Sequence, residues 1–168
     1  MTRSDTEKSS VAARTRGYPS PAFLLAALIL LSPAAYAQQR SITGYPVEIV
    51  AGDQLLFSAG NKRVYNIKLQ GIQTPHLSSR LGQAAKRHLK TLIAGRLIEI
   101  SQLRQPPGSA IIARVSYGGS DISLRMLKAG LGIEATSELN DPAAVRRYKQ
   151  AEQQARNRQL GIWDRKNH

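Results

Sequence analysis

The stretch Asn66-Ile67-Lys68-Leu69-Gln70-Gly71-Ile72-Gln73-Thr74-Pro75-His76 holds the residues whose types and spacing bear most directly on chemistry. Ile67 and Leu69 alternate with polar residues, as in a half-buried strand, and Gly71 with Thr74-Pro75 turns the chain at its end. Pro75 biases the residues before it toward extended backbone, so Lys68, Gln73 and His76 are expected to project into one pocket at the strand's exit. The set offers a point cation, an amide and an imidazole. It contains no carboxylate. General-base work by an acid therefore has no provider in this stretch, and His76 is the one side chain in it suited to move a proton. The plainer alternative is a surface-loop histidine.

The elements around this stretch follow from periodicity. Residues 45–50 alternate like a strand, Ala51-Gly52-Asp53 breaks it with turn residues, and residues 54–58 return. Gly60-Asn61 turns again into a third strand at 63–69, which makes an antiparallel meander. After His76 the spacing lengthens: Leu81, Ala85, His88, Leu89, Leu92 and Ile93 share one helical face, with Ser78 or Ser79 to cap it and Gly95 to end it. Arg80, Lys86, Arg87 and Lys90 occupy the opposite face, as solvated charge or as a polyanion contact. His88 sits at the edge of the apolar stripe, where a packed histidine is expected rather than a ligand.

Residues 97–101 resume period two, Gln105-Pro106-Pro107-Gly108-Ser109 interrupts it, and a fifth strand at 110–117 closes on Gly118-Gly119. A short helix is expected with Ser123 as its cap and Leu124 and Leu127 inward, ending at Gly130. Asn140-Asp141-Pro142 opens the last helix, whose Ala144, Tyr148, Ala151 and Ala155 keep one face. Trp163 then returns the chain to the body as a core anchor. Five strands, one helix after the third and helices at the end describe an α+β domain on a small barrel.

Ahead of that domain, Arg3, Lys8, Arg14 and Arg16 precede a short apolar run at 22–31, and Ala35-Tyr36-Ala37 fits a signal-peptidase site. The run is about half the length that a spanning helix needs. The expected organisation is a Sec-type signal peptide at 1–37, a tail at 38–44 and one domain at 45–168, exported to a periplasm or secreted. The mature part keeps 20 basic and nine acidic residues, so its positive charge favours nucleic acid or another polyanion as partner. No cysteine is present, which excludes disulfides and zinc-thiolate sites.

In this order the fragments Gly52-Asp53, Leu69-x-Gly71-Ile72, Thr74-Pro75, Gly82-x-x-Ala85, Leu127-x-x-Gly130-Leu131, Tyr148-x-x-Ala151-Glu152-x-x-Ala155-Arg156 and Gly161-Ile162-Trp163 resemble the staphylococcal-nuclease-like, or thermonuclease, family. The resemblance runs from about Tyr45 to Trp163 and implies a five-stranded OB-fold β-barrel with three α-helices. It also implies a Ca²⁺-dependent nuclease site of two metal carboxylates, a glutamate base and two phosphate-holding arginines. Carried over residue by residue, Asp53 keeps one metal position and Thr74 a backbone one. Gln73 stands at the second metal carboxylate, His76 at the glutamate, Lys68 at the first arginine and Ala110 at the second.

Asp53 equally suits a plain turn residue after Gly52. The resemblance thus implies a degenerate site with no cofactor, or Ca²⁺ only if cleavage persists. The expected protein is a monomer without a membrane span in its mature form, binding nucleic acid or another polyanion without sequence preference through Lys68, Lys86, Arg87, Lys90 and Arg114. An exported protein partner is a second expectation, and a weak metal-dependent phosphodiesterase built on Asp53, Lys68 and His76 a third.

Overall fold

The computed structural model describes residues 41–60 and 62–165, all within the compact unit Gln39–His168. The leader expected at 1–37 lies outside the described residues. In chain order the elements are β1 (Ile42–Ile49), β2 (Gln54–Ser58), β3 (Val64–Leu69), β4 (Ile72–Gln73), α1 (Arg80–Ile93), β5 (Ile98–Arg104), β6 (Ile111–Tyr117), β7 (Ser120–Asp121), α2 (Ile122–Lys128), β8 (Ile133–Glu134) and α3 (Pro142–Asn157). Strands β1, β2 and β3 form the antiparallel meander, β1 also pairs with β5, and β5 pairs with β6. Parallel pairing of β6 back onto β3, with Ile67 opposite Ile111 and Leu69 opposite Ala113, closes the five strands into a barrel.

The period-two alternation sorts side chains across the barrel wall. Leu55, Phe57, Ile67, Leu69, Ile98, Ile100, Ala113 and Val115 fill the interior, and Ala85, Leu89, Ile93, Met126 and Tyr148 continue the same core from the helices. Ser79 caps α1, its Oγ accepting the Gly82 N–H at 3.0 Å, and Gly95 follows the helix at φ +68°. The helix start also presses on the segment before it: a Cβ on Gly82 would lie 2.1 Å from the His76 carbonyl oxygen. Among the described residues no helix is long and apolar enough to cross a membrane.

Three expectations need correction. β1 begins at Ile42, not Tyr45, so residues 42–44 are strand rather than tail, paired with Ile98, Glu99 and Ile100. Gly44 makes this possible, since a Cβ there would meet the Ser58 carbonyl at 2.2 Å and the Phe57 ring at 2.7 Å. Asp121 rather than Ser123 caps α2, accepting the Leu124 N–H at 3.2 Å, and the residues facing inward are Ile122, Ser123, Met126 and Leu127, with Leu124 half-buried. Trp163 is not a core residue; it stays half-exposed with the Arg156 guanidinium 3.9 Å from its ring centroid.

His88 is half-buried on α1, and that burial, reinforced by the nearby Arg125 charge, holds its imidazole below the usual histidine range. The unfolded chain then takes up this proton before the folded one, so stability present above about pH 6.5 is lost as pH falls. Urea unfolding is expected to show this acid slope in the wild type and a flatter one in His88→Gln. Parallel slopes in the two proteins would contradict it.

Candidate functional site

Asp53 is held at the corner where β2 begins. Its carbonyl accepts the Leu69 N–H at 2.8 Å, and its Oδ1 accepts the Thr74 hydroxyl at 3.1 Å. Gly52 seats this corner by its lack of a side chain: a Cβ would lie 2.5 Å from Ala85 Cβ and 2.9 Å from Thr74 Oγ1. Asp53 and Thr74, 21 residues apart, are thereby brought together. Lys68 lies half-buried on the barrel wall, between Gln54 of β2 and Ile112 of β6. Ala110, also half-buried, stands immediately before β6.

Past Leu69 the chain leaves this wall. Gly71 takes φ +75°, and Ile72 and Gln73 pair with Glu134 and Ile133 in a separate two-stranded ribbon. Gln73, Thr74, Pro75, His76, Ile133 and Ile162 line a cleft of about 280 Å³. Gln73 and His76 do share it, but Lys68 does not line it, because the Gln70-Gly71 turn separates the two parts of the segment. His76 is exposed, and its Nδ1 accepts the Ser78 N–H at 3.3 Å and meets Ser78 Oγ at 2.8 Å.

No acidic side chain lines that cleft. Among the described residues there is also no group of three or more His, Asp and Glu placed to hold a metal ion. Ca²⁺ takes about six to eight oxygen ligands and relies on carboxylates for affinity. One carboxylate that already accepts the Thr74 hydroxyl, with Gln73 and His76 nearby, does not fit that ion.

The remaining basic residues are dispersed. Lys86 and Lys90 line a cleft of about 380 Å³ against residues 46–49 of β1, with Arg87 exposed on the same helix. Arg114 lies elsewhere, on β6, its Nε donating to Asp121 Oδ2 at 3.1 Å. The Tyr148 hydroxyl donates to the same oxygen at 2.7 Å. Burial, and then the Asp121 charge, push the Tyr148 hydroxyl well above the usual tyrosine range, so it remains a neutral donor. Sequence reading missed this cluster and the cations Arg125, Lys128 and Arg147 beside it. The i, i+3 spacing of Arg125 and Lys128 on one helix was the only local signal.

A closed five-stranded barrel, a helix after the third strand and an Asp-Thr corner at the second strand's start define an OB-like nuclease-type domain. The chain belongs to the staphylococcal nuclease homologue family, whose model matches residues 66–165. A Haemophilus influenzae protein named "Uncharacterized endonuclease" is 28% identical over 142 residues, covering 83% of this chain and 77% of that one. A Capnoides sempervirens protein named "Uncharacterized 38.1 kDa protein" is 27% identical over 117 residues, covering 67% of this chain and 33% of that one. This chain thus spans about a third of the second relative.

Proposed function

We propose that this protein is an exported member of the family that has lost its hydrolytic chemistry and binds nucleic acid without sequence preference, with other polyanions or an exported protein as lesser partners. The observation that carries the reading is the donor set: among the described residues no group of three or more His, Asp and Glu is placed to hold a metal ion, and Asp53 is accompanied by Gln73, His76, Lys68 and Ala110 at the positions the family resemblance marks. General-base assistance is typically worth about 10²–10⁴ in rate, and losing a positioned cation on the transition state costs a comparable factor. Lys68 keeps one charge without the bidentate grip of an arginine. Binding needs none of these groups, only cations on an ordered surface, which the mature chain's excess of basic residues supplies. The leader's composition supports export, to a periplasm or to the medium.

Charge-driven binding has a measurable signature. If about four phosphates are neutralised, affinity for single-stranded DNA falls about 50-fold between about 50 and 200 mM salt. Affinity that is flat across that range would remove the polyanion reading. A second reading, weak metal-dependent phosphodiester cleavage, is favoured by the naming of the Haemophilus influenzae relative as an endonuclease and by Asp53 lying beside Thr74. It requires a divalent ion and the Asp53 carboxylate, and Asp53→Ala separates it from binding alone.

A further inference from the structure

The largest of the clefts described here, about 470 Å³, lies away from the Asp53 corner and is walled by β5, β6, α2 and α3. Four cations from three elements converge on it: Arg114 from β6, Arg125 and Lys128 from α2, and Arg147 from α3. Ser101 and Ser116 add hydroxyls, and the acidic groups in the lining are Glu99 and Asp121. Asp121 is committed, since it accepts from Arg114 Nε, from the Tyr148 hydroxyl and from the Leu124 N–H. The carboxylate therefore acts as a strut. It fixes the Arg114 guanidinium through Nε, while the terminal amino groups make no hydrogen bond to another described residue.

We propose that this cleft is a phosphate-binding site, separate from the family's phosphate-holding positions at Lys68 and Ala110. A guanidinium already held by its neighbours loses little freedom on gripping an anion, and its remaining donors match phosphate oxygens in pairs. Arg125 and Lys128 are exposed and supply the further charge that a phosphate requires, and the serine hydroxyls supply neutral donors. The phosphate belongs either to a single nucleic-acid strand crossing the barrel or to a free ion. The strand form rests on the proposed nucleic-acid binding; the free-ion form does not.

The test uses the whole protein and two probes. The first is a labelled oligothymidylate of about 12 nucleotides, within the length one such barrel covers, followed by anisotropy against salt. The second is inorganic phosphate, followed through the amide resonances of Gly119 and Ser120, which border the cleft. Arg125→Gln/Lys128→Gln is compared with Lys149→Gln/Arg158→Gln, an equal charge change on exposed residues of α3 and its C-cap outside the cleft. Loss of two strand contacts lowers the salt slope by about 1.4 in the cleft pair and leaves it near the parent value in the other.

A selective slope change identifies strand phosphate as the ligand. Amides moved by phosphate in the parent but not in the cleft pair identify a site that also takes the free ion. Equal slopes with unmoved amides overturn the cleft while leaving nucleic-acid binding intact. Moved amides without any oligonucleotide binding keep the cleft and remove the proposed function.

Discussion

The quadruple variant Lys68→Arg, Gln73→Asp, His76→Glu, Ala110→Arg is expected to cut single-stranded DNA in the presence of Ca²⁺ at least about 10³-fold faster than the wild type. Each change follows the proposed correspondence with the family's site, and the frame the new side chains would join is already set. The Leu69 N–H binds the Asp53 carbonyl, the Thr74 hydroxyl binds Asp53 Oδ1, and Gln73 is the residue before Thr74. Lys68 and Ile112 face each other across the β3–β6 seam, so Ala110, two residues before Ile112, is on the same wall. A second carboxylate at 73 adds oxygen donors that calcium needs, and arginine at 68 and 110 adds paired donors for phosphate. The effects are strongly non-additive, so single reversions are expected to do little and the full set much more. A quadruple variant that folds, shown by an unchanged urea midpoint, yet cleaves no faster would mean the barrel has lost the arrangement as well as the residues.

Asp121→Ala is expected to cost about 3–5 kcal/mol of stability, far more than a surface carboxylate does. The side chain caps α2, neutralises Arg114 and receives the buried Tyr148 hydroxyl. Removing it leaves a hydroxyl unpaired in the core and a largely enclosed guanidinium without its counter-charge, on top of about 1 kcal/mol for the lost cap. Asp141 makes the comparison. It also caps a helix, accepting the Ala143 N–H at 2.8 Å, but its ion pair with Arg147 is long, at 3.8 Å, and exposed on both sides. Asp141→Ala should therefore cost only about 1 kcal/mol. Equilibrium denaturation of the two variants decides between them; equal losses would show that the Asp121 network contributes no more than its cap.

Most of the barrel was legible because it is local. Alternation in residues 54–58 and 63–69, the Ser79 cap and Gly95 each state their structure within a few residues of sequence. What local pattern did not give was anything fixed by contact across the chain. Gly44 falls in the residues expected to be tail, yet its missing side chain is what lets β1 pass over Phe57. Asp121 and Ser123 are both good caps, and only the immediate passage from β7 into α2 selects the first. Glu152 lies on the last helix, where no local pattern marks it as buried. It is buried because its Oε2 accepts the Glu134 N–H at 2.8 Å and its Oε1 accepts from Arg156 Nε at 3.0 Å. At the site, the Thr74 hydroxyl reaches Asp53 Oδ1 across 21 residues, a contact that no local pattern states. The expectation that Lys68 shares a pocket with Gln73 and His76 failed because Gly71's positive φ turns the chain off the barrel wall.

One carboxylate with these neighbours is expected not to drive phosphodiester hydrolysis. Incubating the purified protein with single-stranded DNA and, in turn, Ca²⁺, Mg²⁺, Mn²⁺ and Zn²⁺, beside its Asp53→Ala variant, tests it most directly. Both proteins are expected to bind the strand, and neither to cleave it above the protein-free rate. Brisk divalent-dependent cleavage by the wild type that disappears in Asp53→Ala would contradict it.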